Sequence, residues 1–433
     1  ITMNRVKEIR IVQIFFSILS IITFAILAIS LQESNAERIH NTASILGLIN
    51  VLVICYSSGK MAGKRFNELS VWYLIYYIFL ESQNILYVYG YKAQVSTSSI
   101  FKLMTVYELA NSVIYTNILL SFISIGATWC LARNAKAIIS EQKAHDPVML
   151  RTARTTSIIL FAPAMYYMVK FLSLASTLGY QASFDGEFSN SLLTMFCRYA
   201  LFGWQISLFG ILHATNKKSE SRLVCFALFA LVLCYFSVGE RTFPISILIC
   251  VIFATNADKH NKRKKRAILI VPVAYILLVI VSLIQQVRGS GIITIDSLVS
   301  AFTSFDGGLQ AALESIGIMG FSSCCLPLTM RLIGREGFKL GTTYLFGMTT
   351  FIPNILNIFG SYSLGRYSLS RWLKNGLGLT WGPGFSMPAE AYINFGWIGV
   401  VIGLILGYLL AKFVMVKKST AFEKTISTAI YYC

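Results

Sequence analysis

Glu390 lies in a segment whose residue types suit a binding or catalytic site. The segment reads Gly-Pro-Gly-Phe-Ser-Met-Pro-Ala-Glu-Ala-Tyr-Ile-Asn-Phe-Gly, residues 382–396. A carboxylate there can accept the proton of an attacking hydroxyl, and glycines let a ligand approach the backbone closely. A helix start explains the same Glu equally well, with Ser386 as N-cap, Pro388 in the first turn and a carboxylate that favours the helix dipole. The sequence leaves both roles open.

Two arginines beside apolar runs suit a phosphorylated ligand. Arg241 follows Gly239 and Glu240 in a tight turn between two such runs, and Arg288 ends a third. A guanidinium group is a planar, permanently charged fork that matches the oxygens of a diphosphate, whereas a lysine offers only a point charge. We therefore predict that Arg241 and Arg288 act at a reaction centre and that Glu240 contributes to substrate binding.

Three charged residues, Lys170, Arg198 and Glu81, interrupt apolar runs long enough to cross a membrane. A charge at mid-membrane costs on the order of 3 kcal/mol, so each needs a partner, water or a ligand. If the N-terminus is cytoplasmic, the helical rise per residue puts all three about 12 Å beneath the outer ends of their helices. They fit a shared polar cavity, or a structural ion pair of Glu81 with one of the bases. We predict that Lys170 and Arg198 bind substrate.

The stretch 289–389 adds further candidates. Glu314 stands in an otherwise apolar run, where a lone carboxylate needs a compensating interaction, so it is a second candidate for a catalytic base. Arg366 and Arg371 are predicted to bind substrate. The remaining charges of this stretch are expected to be solvated, and they include Asp296, Asp306, Arg331 and Arg335.

Composition indicates which kind of secondary structure must position these residues. The chain has 433 residues, of which 55% are hydrophobic and 13% charged, with a mean hydropathy of +0.65. A span needs roughly 20 apolar residues. We predict an all-α, polytopic membrane helix bundle with at least ten transmembrane helices. The expected spans cover about 9–31, 42–58, 69–89, 111–132, 155–178, 191–214, 222–238, 241–257, 266–288 and 390–414.

The basic residues orient these spans. With the N-terminus in the cytoplasm, most of the 37 Lys and Arg residues fall in cytoplasmic segments, as expected for a membrane protein. The net charge of +18 therefore reflects topology, and nucleic acid is not an expected partner. The chain divides into a bundle at 1–288, a large outer loop at 289–389, and a last span with a cytoplasmic tail at 390–433. A further span is expected beyond the tail, which predicts a truncated end.

The long loop is expected to be ordered, because residues 311–333 and 343–359 are rich in apolar and aromatic side chains. Interfacial or re-entrant helices fit this pattern. The alternative is that 311–330 and 343–360 both cross the membrane, which would bring Arg331, Arg335 and Lys339 to the cytoplasmic side. Glu390 faces outward in either arrangement.

Cysteine and histidine positions predict neither a metal site nor a cofactor. The nine Cys lie mostly within or beside spans, and the four His are scattered away from the long loop. No phosphate-binding loop, dinucleotide fingerprint or internal repeat is present in the sequence, which argues against ATP-driven or inverted-repeat transport.

The second half of the chain carries several short motifs: Gly-x-Arg at 239–241, Arg288 before a large outer loop, Ile-Pro-Asn at 352–354, and Gly-x-Gly-x-Ser followed by Ala-Glu-Ala-Tyr-x-Asn-x-Gly at 382–396. These motifs establish a resemblance to the Wzy-type polymerases of bacterial O-antigen and capsule assembly. It covers about residues 235–412. The earlier spans are similar to the family only in hydrophobicity.

This resemblance implies a GT-C-like glycosyltransferase in the bacterial cytoplasmic membrane. Its substrate would be an undecaprenyl-diphosphate-linked oligosaccharide, and its partners would be membrane lipids and a chain-length regulator and flippase of the same pathway. The resemblance implies that arginines stabilise the leaving diphosphate and that Glu390 or Glu314 activates the acceptor hydroxyl. A single displacement would invert the anomeric centre without a metal. Loop aromatics are expected to stack on sugars or anchor the loop: Tyr344, Tyr362, Trp372 and Trp381.

Three other functions compete with this one. An O-antigen ligase would use a similar donor, but ligases resemble one another in an outer-loop histidine, which the loop here lacks. A flippase or transporter should carry charges along a path to both membrane faces, whereas the intramembrane charges here lie near the outer side. A purely structural member of an assembly complex leaves the buried charges unexplained.

Overall fold

The structure is a computed structural model, and every regular element in the part of the chain that it describes is helical. It describes residues 3–61, 68–90, 104–133, 146–178, 192–237, 242–256, 275–276, 278–280, 282–283, 295–304, 308–349, 369–379, 383–414 and 421–432. Eight described helices have the length and apolar composition of membrane spans. The predicted all-α, polytopic class is confirmed.

The chain forms two compact units. The first comprises Ile1–Ile138 and Ile316–Val416, and the second comprises Ile139–Ser315 and Lys417–Cys433. The described helices before residue 260 are α1 Met3–Ser30, α2 Ala36–Met61, α3 Glu68–Val88, α4 Val106–Arg133, α5 Pro147–Leu178, α6 Leu192–Ala214, α7 Lys218–Ser237 and α8 Thr242–Asn256. Those after residue 290 are α9 Ile295–Thr303, α10 Gly308–Met319, α11 Cys325–Glu336, α12 Thr342–Thr349, α13 Leu369–Gly376, α14 Met387–Phe395, α15 Ile402–Val414 and α16 Ala421–Tyr432.

Most predicted spans correspond to these helices. The span-like helices are Glu8–Ser30, Glu33–Met61, Val106–Arg133, Pro147–Ala175, Leu193–Ala214, Lys218–Ser237, Gly308–Glu336 and Met387–Val414. The spans predicted at 69–89 and 241–257 appear as the helices α3 and α8, the latter with a shorter apolar core at Phe243–Ile252. The span predicted at 266–288 lies mostly outside the described residues. Gly308–Glu336 has the span-like length that the alternative arrangement of the long loop requires for its first part.

α4 lies at the centre of the first unit, where it contacts α1, α2 and α15. Buried hydroxyls on α4 pair with amides on the two N-terminal helices. Gln13 Nε2 donates to Ser124 Oγ across 2.8 Å, and Asn50 Nδ2 donates to Ser121 Oγ across 3.2 Å. Such interhelical bonds between polar side chains are typical of membrane helix packing, because lipid offers them no other partner.

The last span packs on α4 through glycines spaced four residues apart. A Cβ on Gly403 would lie 2.8 Å from the carbonyl oxygen of Leu119, and one on Gly407 would overlap the carbonyl of Ile123. Gly126 on α4 is crowded in the same way by α15. Small residues at this spacing let helix backbones touch in a membrane. This contact fixes α15, and therefore the helix α14 that leads into it.

The helix Gly308–Glu336 is interrupted by a 3-10 turn at Gly320–Cys324. α3 holds the residues just before the interruption. Ser82 Oγ donates to Ile316 O and Gln83 Nε2 donates to Gly317 O, both across 2.7 Å. Because a mid-helix 3-10 segment frees backbone carbonyls, these two side chains replace hydrogen bonds that a regular helix would make itself.

The second unit is built around α5 and α6, with α7, α8 and α16 packed against them or each other. Arg154 on α5 forms a bidentate pair with Glu220 on α7, with Nε–Oε1 and Nη2–Oε2 distances of 2.6 and 2.7 Å. Thr215 adds a third hydrogen bond to the same carboxylate. α16 is anchored to α6 by the hydrogen bond between His213 Nε2 and Thr428 Oγ1, 2.9 Å.

Candidate functional site

α14 starts where the sequence predicts a helix start. Ser386 occupies the N-cap position with extended backbone angles, and Pro388 stands in the first turn. The Ser386 hydroxyl is nevertheless buried and makes no capping bond within the described residues. At the other end, Gly396 has a φ of +57°, which suits glycine, and it turns the chain toward the last span.

The Glu390 carboxylate points to a partner 47 positions away in sequence. Thr343 Oγ1 donates to Glu390 Oε1 across 2.9 Å. Asn394, one helical turn after Glu390, donates through Nδ2 to Thr343 Oγ1 across 2.6 Å and to the Glu390 carbonyl across 2.8 Å. Glu390 is half-buried and Asn394 is fully buried. The three polar residues form one hydrogen-bonded cluster, Glu390–Thr343–Asn394, which we call the carboxylate cluster.

Backbone hydrogen bonds hold the segment before α12 against the end of α14. Lys339 N donates to Ile393 O across 2.9 Å, and Leu340 N donates to Asn394 O across 3.2 Å. The Asn394 side chain also accepts from Gly341 N across 2.8 Å. Leu340 and Gly341 have φ values of +48° and +86°. For Leu340 this backbone conformation is unfavourable, so the contacts with α14 must hold the turn in place.

Tyr344 lies beside the carboxylate cluster. Its ring stacks on Phe395, with centroids 6.5 Å apart and planes 14° from parallel. Its hydroxyl is buried and has no hydrogen-bond partner within the described residues. Burial, and then the neighbouring Glu390 carboxylate, raise the pKa of the Tyr344 hydroxyl. The hydroxyl therefore stays protonated at neutral pH.

A second polar cluster surrounds Trp372 on α13. Trp372 Nε1 donates to Glu336 Oε2 across 2.6 Å, and Lys339 Nζ lies 3.5 Å from the same oxygen and 5.8 Å from the Trp372 ring centroid. Phe385 meets the indole edge to face at 6.3 Å. These neighbours already contact Trp372, so the expected role in sugar stacking is less suited to it. Arg371, a predicted substrate-binding residue, is exposed on the same helix.

Glu108 and Arg331 form a bidentate ion pair between α4 and α11. The Nε–Oε1 and Nη2–Oε2 distances are 2.7 and 2.6 Å. The Glu108 carboxylate also accepts from the backbone N–H of Thr105 across 2.8 Å, where it caps the start of α4. Arg331 was expected to be solvated, but its guanidinium is ordered by this pair.

In the second unit, Arg198 lines a narrow crevice between helices, with a volume of about 20 Å³. Its other lining residues are apolar or aromatic: Tyr167, Phe171, Leu201, Phe202, Tyr235 and Phe243. Lys170 is exposed, and its Nζ lies 5.2 Å from the Tyr166 ring centroid. Arg198 is thus an exposed cation beside aromatic and apolar side chains, whereas Lys170 rests on an aromatic ring.

The carboxylates of Glu81 and Glu314 are both buried. Glu81 in the first unit accepts from Asn84 Nδ2 across 2.9 Å and bonds Thr116. His40 Nε2 in turn lies 3.1 Å from Asn84 Oδ1. Glu81 is therefore satisfied by neutral groups of its own unit, which supports a structural role. Glu314 in the second unit is 1% exposed.

Four predicted site residues lie outside the described residues: Glu240, Arg241, Arg288 and Arg366. The structure adds Thr343, Asn394 and Glu108, which had no assigned role. A signal for Asn394 was available, because residues four apart share a helix face and Asn394 follows Glu390 by that spacing. No local signal identifies Thr343 or Glu108, whose partners are distant in sequence. Among the described residues, no cluster of His, Cys, Asp and Glu could hold a metal ion.

Comparison with known proteins assigns the family. Residues 9–433, nearly the whole chain, match the family described as O-antigen polysaccharide polymerase Wzy. No curated protein and no solved structure matches the chain. The helices and the carboxylate cluster thus sit in a chain that belongs to the Wzy O-antigen polysaccharide polymerases, multi-pass bacterial membrane proteins that polymerise lipid-linked oligosaccharide repeat units.

Proposed function

We propose that this polymerase transfers a growing glycan from undecaprenyl diphosphate to a hydroxyl of a new lipid-linked repeat unit, at the outer face of the cytoplasmic membrane. The acceptor oxygen attacks the anomeric carbon, and a new glycosidic C–O bond forms. The bond from that carbon to the diphosphate oxygen breaks, and its electrons leave with undecaprenyl diphosphate. The acceptor proton passes to the Glu390 carboxylate and then to water. Such a single displacement inverts the anomeric centre and needs no metal.

The arrangement around Glu390 is the observation that carries this proposal. The Thr343 hydroxyl donates to Glu390 Oε1, while Glu390 Oε2 has no hydrogen-bond partner within the described residues. A general base must present a free oxygen in a fixed direction to the proton that it accepts. The Asn394 bond to Thr343 fixes that direction.

A leaving diphosphate needs positive charge where its negative charge develops. Arg241 and Arg288 are our candidates for this role, and Glu240, Arg366, Arg371, Lys170 and Arg198 are candidates for substrate binding. Among the described members, Arg198 lies beside aromatic and apolar side chains, which suits contact with the phosphate of a lipid-linked substrate. Glu314 remains an alternative base.

Contacts in the first unit support a long loop that stays on the outer side, with a re-entrant segment. Lys339 bonds the end of α14, and Arg331 pairs with the first turn of α4. These contacts support a position of both residues on the same side of the membrane as Glu390. This disfavours the alternative, which would bring Arg331 and Lys339 to the cytoplasmic side. The hydrogen bonds from Ser82 and Gln83 hold the residues just before the 3-10 segment against α3, about two helical turns before the C-terminal end of that helix.

Purified protein in lipid vesicles with a lipid-linked repeat unit tests the proposal. A ladder of glycans that lengthens by one repeat unit per step is the expected result, together with release of undecaprenyl diphosphate in equal amount. Substrate that stays unchanged in length but crosses the bilayer would contradict it and favour a flippase. Product attached to a different acceptor would instead favour a ligase.

A further inference from the structure

An open groove runs between α1 and α2 in the first unit, away from the carboxylate cluster. The groove has a volume of about 710 Å³. A short turn joins the two helices, so they run antiparallel and bring Glu8 and Lys60 to one end of the groove. The walls between the ends are mostly apolar: Ile9, Val12, Phe16, Ile49, Leu52 and Val53.

The length of the groove matches one leaflet of a bilayer. The wall from Lys60 to Ile49 covers three helical turns, about 17 Å at the helical rise. Half of a typical hydrocarbon core is about 15 Å. Val12, Phe16 and Leu52 are each about half exposed along this wall, at 49%, 45% and 53%. The groove therefore offers a single acyl chain an apolar path of its own length.

Charges of both signs stand at one end of this path. Glu8 and Lys60 line the groove, and neither takes part in an ion pair within the described residues. The Lys60 ammonium lies 5.3 Å from the Tyr56 ring centroid, which holds it at the groove wall. Opposite charges left unpaired at the end of an apolar groove are complementary to a headgroup that carries both charges.

Gln13 adds a polar group to the α1 wall. Its side chain is 2% exposed and donates to Ser124 through Nε2, while Oε1 has no partner in the described part of the chain. A buried amide oxygen without a hydrogen bond is unfavourable. Glu8 and Gln13 are thus two acceptors on one wall, which favours a ligand that has N–H donors.

We propose that the α1–α2 groove binds a zwitterionic phospholipid with a primary ammonium headgroup, such as phosphatidylethanolamine. Lys60 contacts the phosphate, and the acceptors on α1 take the ammonium protons. One acyl chain lies along the apolar walls. A choline headgroup has the same charges but no N–H donor, and a glycerol headgroup has no cation, so both should bind less well. With a cytoplasmic N-terminus, the lipid belongs to the cytoplasmic leaflet.

Lipid retention by the full chain tests this site independently of polymerase activity. The protein is equilibrated in bilayer discs with equal amounts of phosphatidylethanolamine, phosphatidylcholine and phosphatidylglycerol of identical acyl chains, then extracted into detergent. Native mass spectrometry counts the lipids that remain bound. We expect preferential retention of phosphatidylethanolamine, reduced about fivefold by Lys60→Ala and by Glu8→Gln, as for one interfacial charge contact. Arg133→Ala removes a basic residue outside the groove and should change nothing.

Equal retention of the three headgroups, or an unchanged preference in both charge variants, would overturn the proposal. Leu52→Trp provides a second test, because it fills the apolar path and keeps both charges. It should lower retention of the bound lipid while the protein stays monodisperse. If Leu52→Trp alters the oligomeric state and leaves lipid retention unchanged, the groove is a protein interface and the lipid site is wrong.

Discussion

Thr343 donates a hydrogen bond to the Glu390 carboxylate across 2.9 Å, although the two residues lie on different helices. The bond joins the start of α12 to the first turn of α14 and makes the loop segment part of the site. A helix-dipole role for Glu390 would need no partner on another helix. The hydrogen bond from Thr343 is therefore consistent with the catalytic role proposed for Glu390, in addition to helix capping.

Glu390→Gln should abolish glycan extension in vesicles while leaving the fold intact. The amide keeps the size of the side chain and can still accept from Thr343, but it cannot take the acceptor proton. Polymer length and released undecaprenyl diphosphate are measured against wild type. The matched control is Glu336→Gln, a carboxylate in the Trp372 cluster. Extension at more than about a tenth of the wild-type rate would exclude Glu390 as the base, since general bases contribute 10²–10⁴-fold.

Asn394→Leu should reduce polymerisation by about tenfold or more, because it removes the donor that fixes Thr343 and the acceptor for Gly341. A positioning defect of this kind weakens catalysis without removing the base. The rate is compared with that of Asn375→Leu, an exposed residue on α13. Near-normal extension in Asn394→Leu would show that the carboxylate cluster is not needed to orient Glu390.

Gly407→Leu should destabilise the first unit, because its side chain would meet the backbone of α4 at Ile123. Overpacking of a tight interface costs about 1–3 kcal/mol. The midpoint of thermal unfolding in detergent should fall, and less protein should be recovered in monodisperse form. Gly334→Ala is the control, since a Cβ there meets open space. Equal midpoints for the two variants would argue against close packing of α15 on α4.

The Glu108–Arg331 pair should contribute more to stability than the pair of Lys339 with Glu336. The first is bidentate and partly buried, whereas the second is a single contact of 3.5 Å between more exposed side chains. A double-mutant cycle by thermal unfolding should give a coupling energy of about 1 kcal/mol for the first and near zero for the second. A reversed order would contradict the ordered role of Arg331.

The sequence predicted the parts of this site that depend on neighbouring residues. Pro388 and the preceding Ser386 indicated the start of α14, and the apolar runs indicated most spans. The sequence did not predict the pairing of Glu390 with Thr343. The turn before Thr343 has a positive φ at Leu340, and residues other than glycine give no clear sequence signature for such a turn. The partner of Arg331 was missed for a related reason: ion pairs between distant helices depend on tertiary packing and leave no periodic pattern.

The glycine contact between α15 and α4 also limits the routes by which lipid can reach the protein. Backbones that touch at Gly403 and Gly407 leave no gap wide enough for an acyl chain. Lipid-linked repeat units, on which the family acts, must therefore enter and leave along other faces of the first unit. Product release must follow those faces as well, so the role proposed for Glu390 requires substrate to approach it from a side turned away from this seam.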